Sequence, residues 1–181
     1  MNPVALYNHD APISAAQQHQ FDPYEMNGGT ETAVLATSGF SADGLALFKK
    51  LSQNLEWYKH AHDKVMSTPA IAQMLSNTLY YKRFFPYYSF CLLGGIDEQG
   101  RGVSYSYDPL GSYGAEPYKS VGHKNQQGVQ RTDMPLDTAI SIAKDAFTSA
   151  SERDMYTGDY LEIFVIKQGG VTVERVDLRK D

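Results

Sequence analysis

The sequence predicts an α+β fold in which helices and β-hairpins form separate layers. Apolar residues recur at helical spacing in three stretches and at strand spacing in two pairs of stretches, each pair joined by a short turn. Along the chain the order is helix, helix, hairpin, helix, hairpin. Because the strands come in antiparallel pairs and do not alternate singly with helices, this order favours a layered domain over a parallel sheet. The 181 residues suffice for one domain with a sizeable core.

Two helices are predicted in the first half of the chain. The first begins near Ser41, has Asp43 in its first turn, and repeats apolar residues at steps of three and four. These residues are Leu45, Phe48, Leu51, Leu55 and Tyr58. In the second helix, Thr68 is the predicted N-cap and Pro69 suits the first helical position, while Pro86 is expected to end the helix. The predicted buried stripe of this helix consists of Ile71, Met74, Leu75, Thr78 and Leu79.

Two hairpins and a third helix complete the predicted domain. Residues 87–107 contain an apolar run, the turn DEQGRG and an alternating run, which indicates a hairpin with one strand buried on both faces. Residues 135–152 return to helical spacing, and YLEIFVIK, QGG and VTVERVDL predict the second hairpin. Residues 1–26 are polar and show neither helical nor strand periodicity. We therefore expect a flexible N-terminal arm preceding a domain at residues 27–181.

Composition argues against several classes of function. The chain has 16 Lys and Arg against 21 Asp and Glu, so neither nucleic acid nor an anionic membrane surface is an expected partner. Cys91, the single cysteine, lies in the apolar run FCLL, where a thiol is typically a small core residue. His60 and His62 are two residues apart on a predicted helix and face different sides, which does not suit a shared metal ion. Without a basic and apolar leader or a long apolar run, we expect an intracellular protein.

Aromatic residues are concentrated after the second predicted helix. The cluster contains Phe84, Phe85, Tyr87 and Tyr88. Such rings belong equally well in a core or in a contact surface between subunits.

Three stretches of the sequence resemble a known family. They are SGFSADGLAL, YKHAHDKVMSTPAIAQMLSNTLYYKRFFPYYSFCLLGGIDEQGRGVSYSYDPLGSY and SERDMYTGDYLEIFVI. They resemble the β-type subunits of the 20S proteasome, and the succession RFFPYY, GGIDEQG and YSYDPLGSY is specific to the class called proteasome subunit beta type-1. The resemblance covers most of residues 22–181 in order. It implies an N-terminal-nucleophile-hydrolase-like fold, a four-layer αββα sandwich, and assembly into seven-membered rings within a four-ring barrel.

The resemblance gives a meaning to the stretch YEMNGGTET at residues 24–32. In active members of the family, a threonine freed by cleavage after a glycine attacks the peptide bond, and its own α-amine is the base. Gly29 takes the position of that threonine here, and Thr30 follows one position later. Active members also need an aspartate and a lysine from the next strands, but this chain passes from NGGT directly to ETAVLATSGF. The missing strands amount to roughly forty residues.

A second gap follows residues 120–122, where the family continues into a serine-bearing turn and a short helix. The sandwich is therefore expected to be incomplete, with strands of the first sheet and one helix missing. In RDMYTGD, Asp154, Thr157 and Gly158 match family residues beside the nucleophile. A carboxylate without a nucleophile has nothing to activate, so we interpret this stretch as a helix end and a loop.

The resemblance thus implies a non-catalytic structural subunit that supports ring assembly and ubiquitin-dependent protein degradation by the complex, without a cofactor. Expected partners are other β subunits, the opposite β ring and the adjacent α ring, in the cytoplasm and nucleus. The interface candidates are Phe84, Phe85, Tyr87 and Tyr88. Three alternatives stay open: a threonine-type endopeptidase subunit with Thr30 exposed by cleavage and Asp154 and Thr157 nearby, a shortened splice product that does not assemble, and a free-standing interaction module.

Overall fold

The computed structural model describes residues 4–8, 33–116, 134–153 and 160–178. In this part of the chain the helices are α1 (Ser41–His62), α2 (Thr68–Tyr81) and α3 (Leu136–Ser151). The strands are β1 (Val4–Asn8), β2 (Ala33–Gly39), β3 (Ser89–Ile96), β4 (Gly102–Tyr107), β5 (Tyr113–Ala115), β6 (Tyr160–Lys167) and β7 (Gly170–Asp177). The described helices are all too short or too polar to cross a lipid bilayer.

The strands form two antiparallel sheets. One sheet has the order β1-β6-β7 and the other the order β2-β3-β4-β5. The two predicted hairpins are confirmed, since β3 pairs with β4 and β6 pairs with β7. Pairing of β2 with β3, from Ala33 opposite Gly95 to Gly39 opposite Ser89, brings the strand that leads into α1 to the edge of the second sheet.

Three clusters of buried side chains stack these elements in four layers. The first cluster joins α1 and α2 to one face of the four-stranded sheet, and its members include Leu35, Leu47, Leu51, Ile71, Leu75, Leu79 and Leu93. The second joins the two sheets and contains Val34, Ile96, Phe164 and Ile166. The third packs Ile140 and Phe147 of α3 against Leu161, Ile163 and Val165. The layers therefore run helix, sheet, sheet, helix, which confirms the expected α+β fold.

The predicted apolar face of α1 is wrong at one position. Leu45 is 41% exposed, and Leu47 is fully buried in its place. The buried residues of the helix are Gly44, Leu47, Leu51 and Leu55. Gly44 determines which face of α1 is buried, because the helix backbone approaches β2 closely at this residue. A Cβ added to Gly44 would lie 2.8 Å from Oγ1 of Thr37.

Both predicted ends of α2 also need correction. The N-cap is Ser67, and Thr68 is the first residue of the helix. The buried Thr68 hydroxyl donates to the carbonyl oxygen of Ile96 at 2.7 Å, so a tertiary bond to β3 replaces the predicted capping bond. The helix ends at Tyr81, well before Pro86. At this end, the N–H of Lys82 donates a hydrogen bond to the carbonyl of Leu79.

The predicted N-terminal arm contains a strand. Val4–Asn8 pairs antiparallel with β6, from Val4 opposite Val165 to Asn8 opposite Leu161. The periodicity of the sequence did not predict this strand, and the rest of residues 1–26 lies outside the described residues. Pairing of this kind satisfies the backbone groups along the edge of β6, a need that the periodicity of the arm itself does not reveal.

Gly111 allows the loop between β4 and β5 to contact α2. Its φ is +86°, and a Cβ would lie 2.5 Å from the carbonyl oxygen of Ser76, whose hydroxyl donates to the carbonyl of Gly111 at 2.7 Å. We expect Gly111→Ala to lower the free energy of unfolding by about 3 kcal/mol or more, because backbone strain and a clash with helix backbone add together. Urea denaturation of both proteins measures the difference.

Gly169→Ala is the matched control for this experiment. Gly169 has a φ of +103° but nothing within 4 Å of an added Cβ. Only backbone strain remains there, and the expected loss is about 1–2 kcal/mol. Equal losses at the two glycines would show that the approach of Gly111 to α2 is unimportant.

Candidate functional site

The residues predicted at the catalytic position all lie outside the described residues. These are Gly29 and Thr30 before β2, and Asp154, Thr157 and Gly158 between α3 and β6. Their roles stay predictions.

The described strands that follow the two candidate segments are β2 and β6. Ala33 begins β2, and its neighbour Val34 shares a buried cluster with Phe164 and Ile166 in the second half of β6. Tyr160, which follows the other candidate segment, is the first residue of β6. Ile166 lies six residues further along that strand, or roughly 20 Å at about 3.3 Å per residue. The start of β2 therefore packs near the second half of β6, away from Tyr160.

The two histidines of α1 have separate surroundings. Nε2 of His60 lies 2.9 Å from a carboxylate oxygen of Glu56, one helical turn away. The ring of His62 packs against that of Tyr58, with centroids 4.6 Å apart. Within the described residues, no group of three His, Cys, Asp or Glu side chains is arranged to hold a metal ion.

Cys91 is a core residue, as predicted. It is fully buried on β3 between the helices and the sheet. Burial raises the pKa of its thiol to about 11, although the neighbouring Ser89 hydroxyl acts in the opposite direction. The thiol is therefore protonated at neutral pH and unsuited to act as a nucleophile.

Asp97 shapes the turn of the GGIDEQG motif. Its carboxylate accepts the backbone N–H groups of Gln99 and Arg101 at 3.0 and 2.8 Å, and Nε of Arg101 at 2.9 Å. Partial burial alone would raise the pKa of Asp97, but these hydrogen bonds and the Arg101 charge outweigh it and lower the pKa. The motif therefore has a structural role, which is to fix the hairpin between β3 and β4.

The described residues that stand out are exposed aromatic side chains at the end of α2 and in the segment that follows it. We call these residues the aromatic surface: Tyr80, Tyr81, Phe84, Phe85 and Tyr88. Phe84 and Phe85 are 87% and 88% exposed, and Tyr88 is 64% exposed. Large contiguous apolar groups in contact with water typically mark a site of interaction with another protein.

Local structure forces these rings outward. The buried stripe of α2 ends at Leu79, so the next two positions rotate away from the core. The guanidinium of Arg83 then lies 4.8 Å from the ring centre of Tyr80 and 4.3 Å from that of Phe84, a cation–π arrangement that orients both rings. A backbone bond from Phe85 N–H to the Lys82 carbonyl closes the turn that presents them.

Tyr88 and Tyr87 play different parts. The N–H of Tyr88 donates to the Asp43 carboxylate at 2.9 Å, and its carbonyl accepts the N–H of Phe40 at 2.8 Å, so its backbone is held against the start of α1. Tyr87 is half-buried and packs against the core beneath the helices. Of the four predicted interface candidates, three are exposed rings and Tyr87 is in part a core residue.

Sequence inspection missed Tyr80 and Tyr81 as members of this surface. Their signal lies in the helical phase: a stripe at Ile71, Leu75 and Leu79 leaves both tyrosines on the opposite face. That phase was available in the sequence, whereas the exposure of Phe84 and Phe85 depends on a turn that the sequence did not predict.

The sequence profile of the proteasome family, described as "Proteasome subunit", matches residues 30–166. This chain belongs to the proteasome subunit family. Membership implies assembly with other proteasome subunits into a protease complex. The matched range includes every strand of the four-stranded sheet, all three helices, and the aromatic surface.

Individual relatives carry the beta type-1 name. The chain is 36% identical to proteasome subunit beta type-1-B of Carassius auratus, over 97% of this chain and 94% of the relative. It is 46% identical to proteasome subunit beta type-1 of Dictyostelium discoideum, over 84% of this chain and 71% of the relative. With the subunit of the same name from Arabidopsis thaliana the identity is 45%, over 83% of this chain and 76% of the relative.

The alignments also bear on the gaps. The alignment to the Carassius auratus protein runs over 226 positions, 45 more than the 181 residues of this chain. The relative therefore has residues with no counterpart here, in agreement with the two internal gaps recognised in the sequence.

Proposed function

We propose that this chain is a non-catalytic structural subunit of the 20S proteasome β ring. It completes the ring and supports neighbouring catalytic subunits in ubiquitin-dependent protein degradation. The observation that carries this proposal is the aromatic surface. Its large rings are exposed to water among the described residues, and exposed rings of this kind are typical of a surface that another subunit covers.

The proposal extends to partners and location. Neighbouring β subunits, the opposite β ring and the adjacent α ring supply the surfaces that cover this chain, and the complex works in the cytoplasm and nucleus. Native gels of a tagged chain co-expressed with the other subunits test this directly. Co-migration with a proteasome-sized particle supports the proposal, and a chain that never co-migrates is the shortened, non-assembling product or a free-standing module.

The absence of catalysis is a separate part of the proposal. Gly29 has no hydroxyl, and Thr30 lacks the aspartate and lysine partners that the resemblance implies for active members. We expect the purified chain to form no adduct with a threonine-directed covalent inhibitor and to cleave no peptide substrate. Intact-mass spectrometry after incubation measures the adduct.

A catalytic β subunit with a free N-terminal threonine is the positive control, treated with the same inhibitor in parallel. The same spectrum reports the mature N-terminus of this chain. A product that starts at Thr30 and carries a stoichiometric adduct would establish the endopeptidase alternative in place of the structural one.

A further inference from the structure

A groove lies between α1 and α2 beside the aromatic surface. Its volume is about 490 Å³, within the range of pockets that hold small ligands or single side chains of a partner. It is lined by Lys50, Asn54, Met74, Asn77, Thr78, Tyr81, Lys82 and Tyr87. Positions 74, 77, 78 and 81 lie on one face of α2, since they are three or four residues apart, and Lys50 and Asn54 form the facing stripe of α1.

The lining of the groove favours an apolar occupant. The Thr78 hydroxyl donates to the carbonyl of Met74 at 2.8 Å, and the Asn77 amide oxygen accepts from Gln73 at 3.0 Å. These polar atoms are thus already engaged within α2. The apolar groups of the lining are the thioether of Met74 and the rings of Tyr81 and Tyr87, which suit an aliphatic or aromatic side chain.

The rim of the groove is cationic. Lys50 and Lys82 are exposed, and neither forms an ion pair with another described residue. Residues 41–88 carry six Lys and Arg against three Asp and Glu, a net charge of +3, within a chain whose net charge is −5. The helical layer is therefore basic on an otherwise acidic protein, and it complements an acidic partner.

We propose that this groove binds an acidic segment of a partner protein that inserts one apolar side chain. The apolar side chain fills the space over Met74, Tyr81 and Tyr87, and flanking carboxylates pair with Lys50 and Lys82. This inference extends the proposed function by naming the chemistry of one partner surface, but it requires only the folded chain and not its entry into a ring.

A peptide titration tests the proposal on the full chain. The probe is a fluorescent, end-blocked peptide with a central leucine between two pairs of glutamates, followed by anisotropy at low salt. We expect saturable binding that weakens at least tenfold when the glutamates become glutamines, and at least tenfold when the leucine becomes serine. We also expect the chain variant K50E/K82E to bind at least tenfold more weakly.

The matched control variant is K49E/K64E. It makes the same change in net charge on the same exposed helical layer, at lysines that do not line the groove. Binding within twofold of the unaltered chain is expected, and circular dichroism verifies that both variants fold. Equal weakening in the two variants, insensitivity to the leucine, or no saturable binding would each overturn the proposal. Displacement of a self-associated dimer by the peptide, seen by light scattering, would also overturn it by assigning the groove to a second copy.

Discussion

Replacing Phe84, Phe85 and Tyr88 with alanine should abolish incorporation of this chain into proteasome-sized particles while leaving its melting temperature unchanged. The three side chains are mostly in contact with water in the isolated chain, so their removal opens no cavity. Central aromatic anchors of an interface typically cost about 2 kcal/mol or more each when truncated, which is roughly a 30-fold loss of affinity for a single ring. Native gels of co-expressed subunits measure incorporation, and thermal melts of the isolated chains measure folding.

Two further variants serve as controls. Tyr87→Ala removes a ring that packs on the core, so it should lower the melting temperature, unlike the triple variant. Asp154→Asn should change neither assembly nor the peptidase activity of the complex, because the sequence predicts Gly29, which has no hydroxyl, at the position of the nucleophile. Loss of peptidase activity in Asp154→Asn particles of normal assembly would mean that this chain contributes to a working active site.

Refilling the two gaps with the corresponding residues of a full-length relative should stabilise the chain and suppress its aggregation. Among the described residues β2 pairs only with β3, and its sequence AVLATSG has neither a charge nor a proline to discourage pairing with another chain. New strands and a helix also bury apolar area that the short chain leaves in water. A gain of about 3 kcal/mol corresponds to a melting temperature higher by roughly 6–12 °C for a domain of this size.

Thermal melts and light scattering compare the two chains. A third chain, with Gly/Ser linkers of the same lengths in both gaps, should show no gain, since such linkers bring no strand or core residue. If the refilled chain melts and scatters as the short chain does, the gaps are structurally harmless.

Patterns within single elements were sufficient to predict most of this fold. Both hairpins and all three helices follow from periodicity, because half-buried strands and helices must place apolar residues toward one layer. The predictions are wrong where contacts with a distant element determine the local structure. The Thr68 hydroxyl bonds to β3 instead of capping its helix, and Gly44 shifts the buried face of α1 toward Leu47.

The candidate site was less predictable than the fold for a related reason. The composition of residues 84–88 predicts an aromatic cluster. The exposure of its rings to water depends on the turn that follows α2 and on the cation–π contacts of Arg83. The groove depends on the approach of two helices, which no local pattern contains. Strand β1 is an extreme case, since it exists only by pairing with residues more than 150 positions later.

The pairing of β1 with β6 determines what cleavage before Thr30 would do to this chain. In active members of the family, cleavage after a glycine frees the threonine. Here, cleavage between Gly29 and Thr30 would cut the covalent link between Val4–Asn8 and the sheet in which it lies. An intramolecular contact with a high effective concentration would become a bimolecular one between the five residues of β1 and the rest of the sheet. Strand β1 is thus an integral part of its sheet, and the step that creates an N-terminal nucleophile in other subunits would here release a structural strand.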